Sequence, residues 1–111
     1  MNLHKEERGD VIILEVEGRC DSMTAPDLGE TLNATLGAGP KGLVLDLGML
    51  EFISSAGFRA LLFALTRAEE NGSRFVLCGI SGKVRQLFDL GGFMDLFPIY
   101  ASKEDGIASI Q

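Results

Sequence analysis

The chain lacks any apolar stretch near the roughly 20 residues that a membrane-spanning helix needs. Segments such as Val11 to Leu14 and Phe58 to Leu65 stop well short of that length. The first residues, MNLHKEERGD, are polar and not signal-like. These two absences lead to the expectation of a cytoplasmic protein with no direct membrane insertion. Cysteine is scarce as well. Cys20 and Cys78 lie far apart, neither sits in a CxxC pair, and a chain of 111 residues can fold without a disulfide staple. Both are read as free thiols.

Positive charge is in short supply. Ten Lys and Arg stand against 16 Asp and Glu, the net charge is −6, and no basic cluster occurs. A surface that tracks nucleic-acid phosphates needs a basic face, so no nucleic acid is expected as a partner. With one histidine, His4, and two distant cysteines, a usual zinc site cannot be assembled, and the carboxylates have no EF-hand spacing. No GxGxxG or P-loop motif follows a strand. No metal, nucleotide or other cofactor is expected.

What the sequence does contain is enough apolar material for one core. At 46% hydrophobic residues and 111 residues in all, one domain spanning residues 1–111 is expected. Val11 to Glu17 starts as a β-branched run between Gly9-Asp10 and Gly18 and reads as a strand. A shorter strand around Leu3 to Glu6 pairs with it through Arg8-Gly9-Asp10. Thr24 offers an N-cap and Pro26 a helix start, with Leu28, Leu32 and Leu36 repeating until Gly37-Ala38-Gly39-Pro40.

Gly42 to Leu47 and Phe75 to Cys78 are short apolar runs between turn signals, the pattern of strands buried on both faces. Phe58, Leu61, Leu62 and Leu65 form a helical stripe that ends at Asn71-Gly72. Ser81 is placed to cap a third helix carrying Val84, Leu87 and Phe88 and stopped by Gly91-Gly92. Leu96 to Tyr100 reads as a short edge strand because Pro98 has no N–H to donate, and Ser102 with Asp105 resembles a capping pair for a last helix. The predicted fold class is α/β, in the order ββαβαβαβα, with a mixed sheet that starts antiparallel and helices packed against it.

The segment from Asp46 to Gly57 is the most unusual: a central strand leads through a loop to a helix start with adjacent serines, Ser54 and Ser55. Two readings stand side by side. One serine caps the helix, as serine commonly does. Alternatively one hydroxyl is exposed at the helix N-terminus, where a phosphate is well tolerated. A serine hydrolase is a poor fit, because the G-x-S-x-G elbow is missing and His4 sits in the polar N-terminal segment. Cys20-Asp21 has no general base around it, so Cys20 reads as packing and Asp21 as a group satisfying loop or first-turn amides. The chain is not expected to be an enzyme.

Leu43-Val44-Leu45-Asp46-Leu47, Phe52-Ile53-Ser54-Ser55-Ala56-Gly57-Phe58 and Leu77-Cys78-Gly79-Ile80-Ser81, with the Val84 to Gly92 helix and its glycine stop, resemble the STAS family. The resemblance is to its bacterial anti-sigma factor antagonists in particular. It implies that Ser55 is phosphorylated by an anti-sigma factor that is also a serine kinase, and dephosphorylated by a PP2C-type phosphatase. Only the unphosphorylated form would bind the anti-sigma factor and free the sigma factor. By the same resemblance Asp21, Ser54, Ser55, Ala56, Gly57 and Phe58 form the partner-binding surface. The chain departs from the family pattern at Ser54, where an Asp usually stands, and at Ala56, where Ser or Thr is frequent. Ser54 is the alternative acceptor. A STAS accessory subunit of a membrane transport or other signalling complex, acting as a constitutive scaffold, is the alternative function.

Overall fold

The computed structural model describes residues 1–111. Strand β1 (Asn2–Arg8) folds back onto β2 (Val11–Cys20) as an antiparallel hairpin, with Arg8 opposite Val11 and Asn2 opposite Glu17. Gly9, at φ +60°, opens the two-residue turn; only a residue without Cβ adopts that angle cheaply, which fits the primed turns that match strand twist. Then come α1 (Ala25–Gly37), β3 (Gly42–Ile53), α2 (Ser55–Asn71), β4 (Arg74–Cys78), α3 (Gly82–Gly91), β5 (Ile99–Tyr100) and α4 (Lys103–Ile110). The five-stranded sheet runs β1-β2-β3-β4-β5, parallel from β2 onward. This is the predicted order and the predicted mixed sheet.

Each crossover steps to the next strand in the same direction, and right-handed crossovers of that kind lay their helices on one face. The core divides accordingly. Ile12, Leu14, Val16, Leu43, Leu45, Phe75 and Leu77 face α1, α2 and α3, while Val11, Ile13, Val44, Val76 and Cys78 face Ile107 and Ile110 of α4. The uninterrupted apolar runs in β2, β3 and β4 follow from this two-sided burial.

Four local expectations differ from the structure. The stretch after Leu47, expected as a loop, remains strand as far as Ile53, and β3 slips by one residue against β2 between Glu15 and Glu17 and again between Gly18 and Arg19. Each slip inserts an extra residue and breaks the alternation, so Leu47, Leu50 and Ile53 are the buried positions. Thr24 occupies the N-cap position of α1 without capping it; its hydroxyl accepts from the Asp21 N–H (2.9 Å) and donates to the Arg19 carbonyl (3.0 Å). Ser81 stands before α3 without a side-chain cap bond, whereas Ser102 does cap α4 by accepting from the Asp105 N–H at 3.1 Å. Only Ile99 and Tyr100 of the expected last strand pair with β4, since Phe97 turns into the core and Pro98 contributes its carbonyl to the Leu77 N–H.

Candidate functional site

Parallel strands all point their C-terminal ends to one edge of the sheet, the edge where ligands of open α/β folds gather. In this chain the end of β2 delivers Asp21 there and the end of β3 delivers Ser54 and Ser55. The Ser54 N–H donates to the Cys20 carbonyl at 2.8 Å, tying the start of α2 to the end of β2 through the main chain.

The two serines have different environments. Ser54 is the N-cap of α2: its backbone is extended (φ −90°, ψ 173°) and its hydroxyl accepts from the Gly57 N–H at 3.3 Å. Ser55 is the first helical residue and is exposed, and its hydroxyl makes no hydrogen bond to protein. No acidic side chain lies in the first turn of α2, so the positive end of the 17-residue helix dipole is not neutralised from within its own sequence.

Gly57 is where helix and sheet come closest. A Cβ there would lie 2.6 Å from Ile53 Cγ1 and 2.9 Å from Cys20 Sγ. Phe58 is buried, its ring stacked on Phe93 (centroids 4.1 Å apart, 7° between planes) and edge-on to Phe88 at 4.8 Å. Of the residues that the resemblance puts on a partner surface, Asp21, Ser54, Ser55 and Ala56 reach solvent at this edge, whereas Gly57 and Phe58 are packed beneath it. Ala56 also lines a groove of about 300 Å³ between α1 and α2, together with Ser22, Ala25, Pro26 and Gly29 and, at the rim, Phe63.

The Asp21 carboxylate accepts from the N–H groups of Met23 (3.0 Å) and Thr24 (3.2 Å). The Met23 amide above all, then the Thr24 amide and hydroxyl and the charge of Arg19, hold this carboxyl below its ordinary range against the opposing effect of burial. Burial and the neighbouring Asp21 charge push the Cys20 thiol up, which keeps it protonated and unsuited to nucleophilic attack. His4 sits mid-way along β1, opposite Glu15, on a strand that pairs only with β2. It is not brought to the serines.

Sequence reasoning missed a further group at this edge. Arg19, at the end of β2, lies with its guanidinium carbon 4.4 Å from the centre of the Phe52 ring on β3, and Lys83 of α3 brings its Nζ to 5.9 Å from the same ring. The β2–β3 register pairs Arg19 with Phe52 only because of the two slips in β3.

The family model for the STAS domain matches residues 2–106. The chain belongs to the STAS domain family. This STAS domain is 32% identical over 111 residues to BtrV of Bordetella bronchiseptica, which carries the name of an anti-sigma factor antagonist; the match covers 100% of the chain and 96% of that protein. It superposes on the crystal structure of an anti-sigma factor antagonist from Mycobacterium paratuberculosis with a TM-score of 0.88 and 26% identity, covering 98% of the chain and 92% of the other. The Bacillus protein SpoIIAA has the same fold. Its unphosphorylated form gives a TM-score of 0.82 at 18% identity over 98% of the chain and 96% of its own. Its phosphorylated form gives 0.74 at 17% over 99% and 100%. No helix of this STAS domain is long and apolar enough to cross a membrane.

Proposed function

We propose that this STAS domain is a cytoplasmic anti-sigma factor antagonist acting as one unit over residues 1–111. Unphosphorylated, it docks an anti-sigma factor that is also a serine kinase and so releases the sigma factor. Phosphorylation of Ser55 ends the docking, and a PP2C-type phosphatase restores it. The observation that carries this reading is the Ser55 hydroxyl: exposed, free of hydrogen bonds, and fixed at the first position of a helix tethered to β2. Ser54 is the weaker acceptor because its hydroxyl already serves the Gly57 N–H.

The chain contributes no catalytic group to the transfer. The kinase forms the bond between Ser55 Oγ and the γ-phosphorus of ATP, the β–γ bridging bond breaks, and the serine proton is released. The phosphate adds about −1.5 to −2 charges and three acceptor oxygens to a surface that was neutral at that point. Free first-turn amides tolerate it within the domain, so the fold is kept while the docking face becomes negative at that point.

The test is intact-mass analysis after incubation with ATP and the anti-sigma factor serine kinase of the same genome, for wild type, Ser55→Ala and Ser54→Ala. A phosphate-sized gain lost only in Ser55→Ala supports the switch at Ser55. Binding of that kinase without any mass gain refutes the phospho-switch and leaves a constitutive antagonist. Neither binding nor modification moves the transport-accessory reading ahead.

A further inference from the structure

Arg19 and Lys83 are two cations on a chain whose net charge is −6, and neither takes part in an ion pair: the four in the fold are made by Lys5, Arg8 and Lys103. Neither side chain donates a hydrogen bond within the protein. Both are exposed, and both lean on one half-buried ring, Phe52, from different elements. Asp21, two residues beyond Arg19, feels its charge but forms no ion pair with it, the carboxylate being engaged by the Met23 and Thr24 amides. A guanidinium held over a ring loses freedom yet keeps its N–H fork for an outside acceptor. The ring therefore steadies two cations whose donors remain free, and Arg19 stands at the same sheet edge as Ser55, because it directly precedes Cys20, whose carbonyl receives the Ser54 N–H.

We propose that Arg19 and Lys83, mounted on Phe52, receive side-chain carboxylates of one acidic segment of the docking protein. The proposal rests on the antagonist reading and names the chemistry of its partner's contact. Charge complementarity is the argument for the occupant: on an acidic chain a local cation pair selects a carboxylate and sets its register, since the surrounding field disfavours a purely long-range attraction. The planar fork of Arg19 suits bidentate capture of the two oxygens of one carboxylate, and Lys83 offers a separate point charge to the same segment.

The test is calorimetric binding of the unphosphorylated full chain to the anti-sigma factor serine kinase of the same genome, with and without ADP, at low and high salt. Arg19→Gln is expected to weaken binding about tenfold, as for a lost charged hydrogen bond, and Lys83→Gln about threefold. Both losses should be present without ADP and shrink at high salt. Arg19→Lys, which keeps the charge but not the fork, should recover only part of the loss. Unchanged unfolding midpoints in all three variants exclude a folding effect. Wild-type binding with both Gln variants within about twofold of it, less than the weaker effect expected above, overturns the proposal and leaves the antagonist reading standing. A loss seen only with ADP present overturns the carboxylate in favour of a nucleotide phosphate. No binding by wild type refutes the antagonist reading and this proposal with it.

Discussion

Replacing Gly57 by alanine puts a methyl group where the structure has no room for one. The new Cβ would stand 2.6 Å from Ile53 Cγ1 and 2.9 Å from Cys20 Sγ. Both neighbours are almost wholly buried, at 2% and 0% exposure, so neither can turn into solvent to relieve the contact. Overpacking of this kind costs about 1–3 kcal/mol, and the better helix propensity of alanine returns about 0.5–1 kcal/mol. With two contacts under 3.0 Å the cost falls in the upper part of that range, about 2–3 kcal/mol, so the net expectation is a loss of about 1–2.5 kcal/mol, or a thermal midpoint lower by roughly 4 °C for each kcal/mol in a chain of this size. Gly29→Ala in α1 is the matched control. Its Cβ would meet the Ala60 Cβ at 3.8 Å, an ordinary contact, so propensity alone acts and stability rises by up to about 1 kcal/mol. Urea unfolding of the two variants with equal slopes should give shifts of opposite sign. A Gly57→Ala protein as stable as wild type would refute the close-packing account of how α2 is seated on the sheet.

Cys78 is buried beside Asp46, and burial with that charge pushes its thiol up to about 12; it should resist a thiol reagent at pH 8 in the folded protein and react on denaturation. Rapid labelling of the native chain would contradict this. Ser54→Ala removes the cap of α2 and is expected to cost about 1 kcal/mol in urea unfolding, whereas Ser55→Ala should change stability by less than about 0.5 kcal/mol. Phe58→Ala removes a buried ring stacked on Phe93 and should cost about 3–5 kcal/mol. The Asp21 carboxyl is held below its ordinary range, so it adds stability above that range and loses it as pH falls through the depressed value. Asp21→Asn should therefore flatten the fall in stability below about pH 4; Glu6, shifted in the same direction by its Arg8 partner, keeps some of the slope. An unaltered pH profile would show that the Met23 and Thr24 amides do not hold the charged form.

Much of this fold can be read from its sequence because burial on both faces of a parallel sheet leaves a plain signal. The runs at Val11, Leu43 and Phe75 are strands since α1 to α3 cover one side and α4 the other. The second half of β3 is obscured by its own geometry: two inserted residues put the buried positions three apart, which matches neither strand nor loop. The serine pair is legible because a strand-to-helix junction asks for a cap. Which serine caps and which is exposed depends on the extended backbone of Ser54, a detail that composition does not carry. Phe58 belongs to the helical stripe by spacing, yet its ring is hidden by Phe93, which arrives from the turn after α3. The Arg19, Phe52 and Lys83 group was invisible for the same reason, since three elements distant in sequence build it.

The two borders of the sheet have a consequence for how such a regulator behaves in quantity. β1 carries the four charged residues Lys5, Glu6, Glu7 and Arg8 in succession, and β5 is two residues long and preceded by Pro98. A long bare strand would invite a second chain to add its own, with fibrils as the end point. Charge on one border and brevity on the other withhold that template. A concentrated solution of the domain is therefore given no ready strand edge on which fibrils could start.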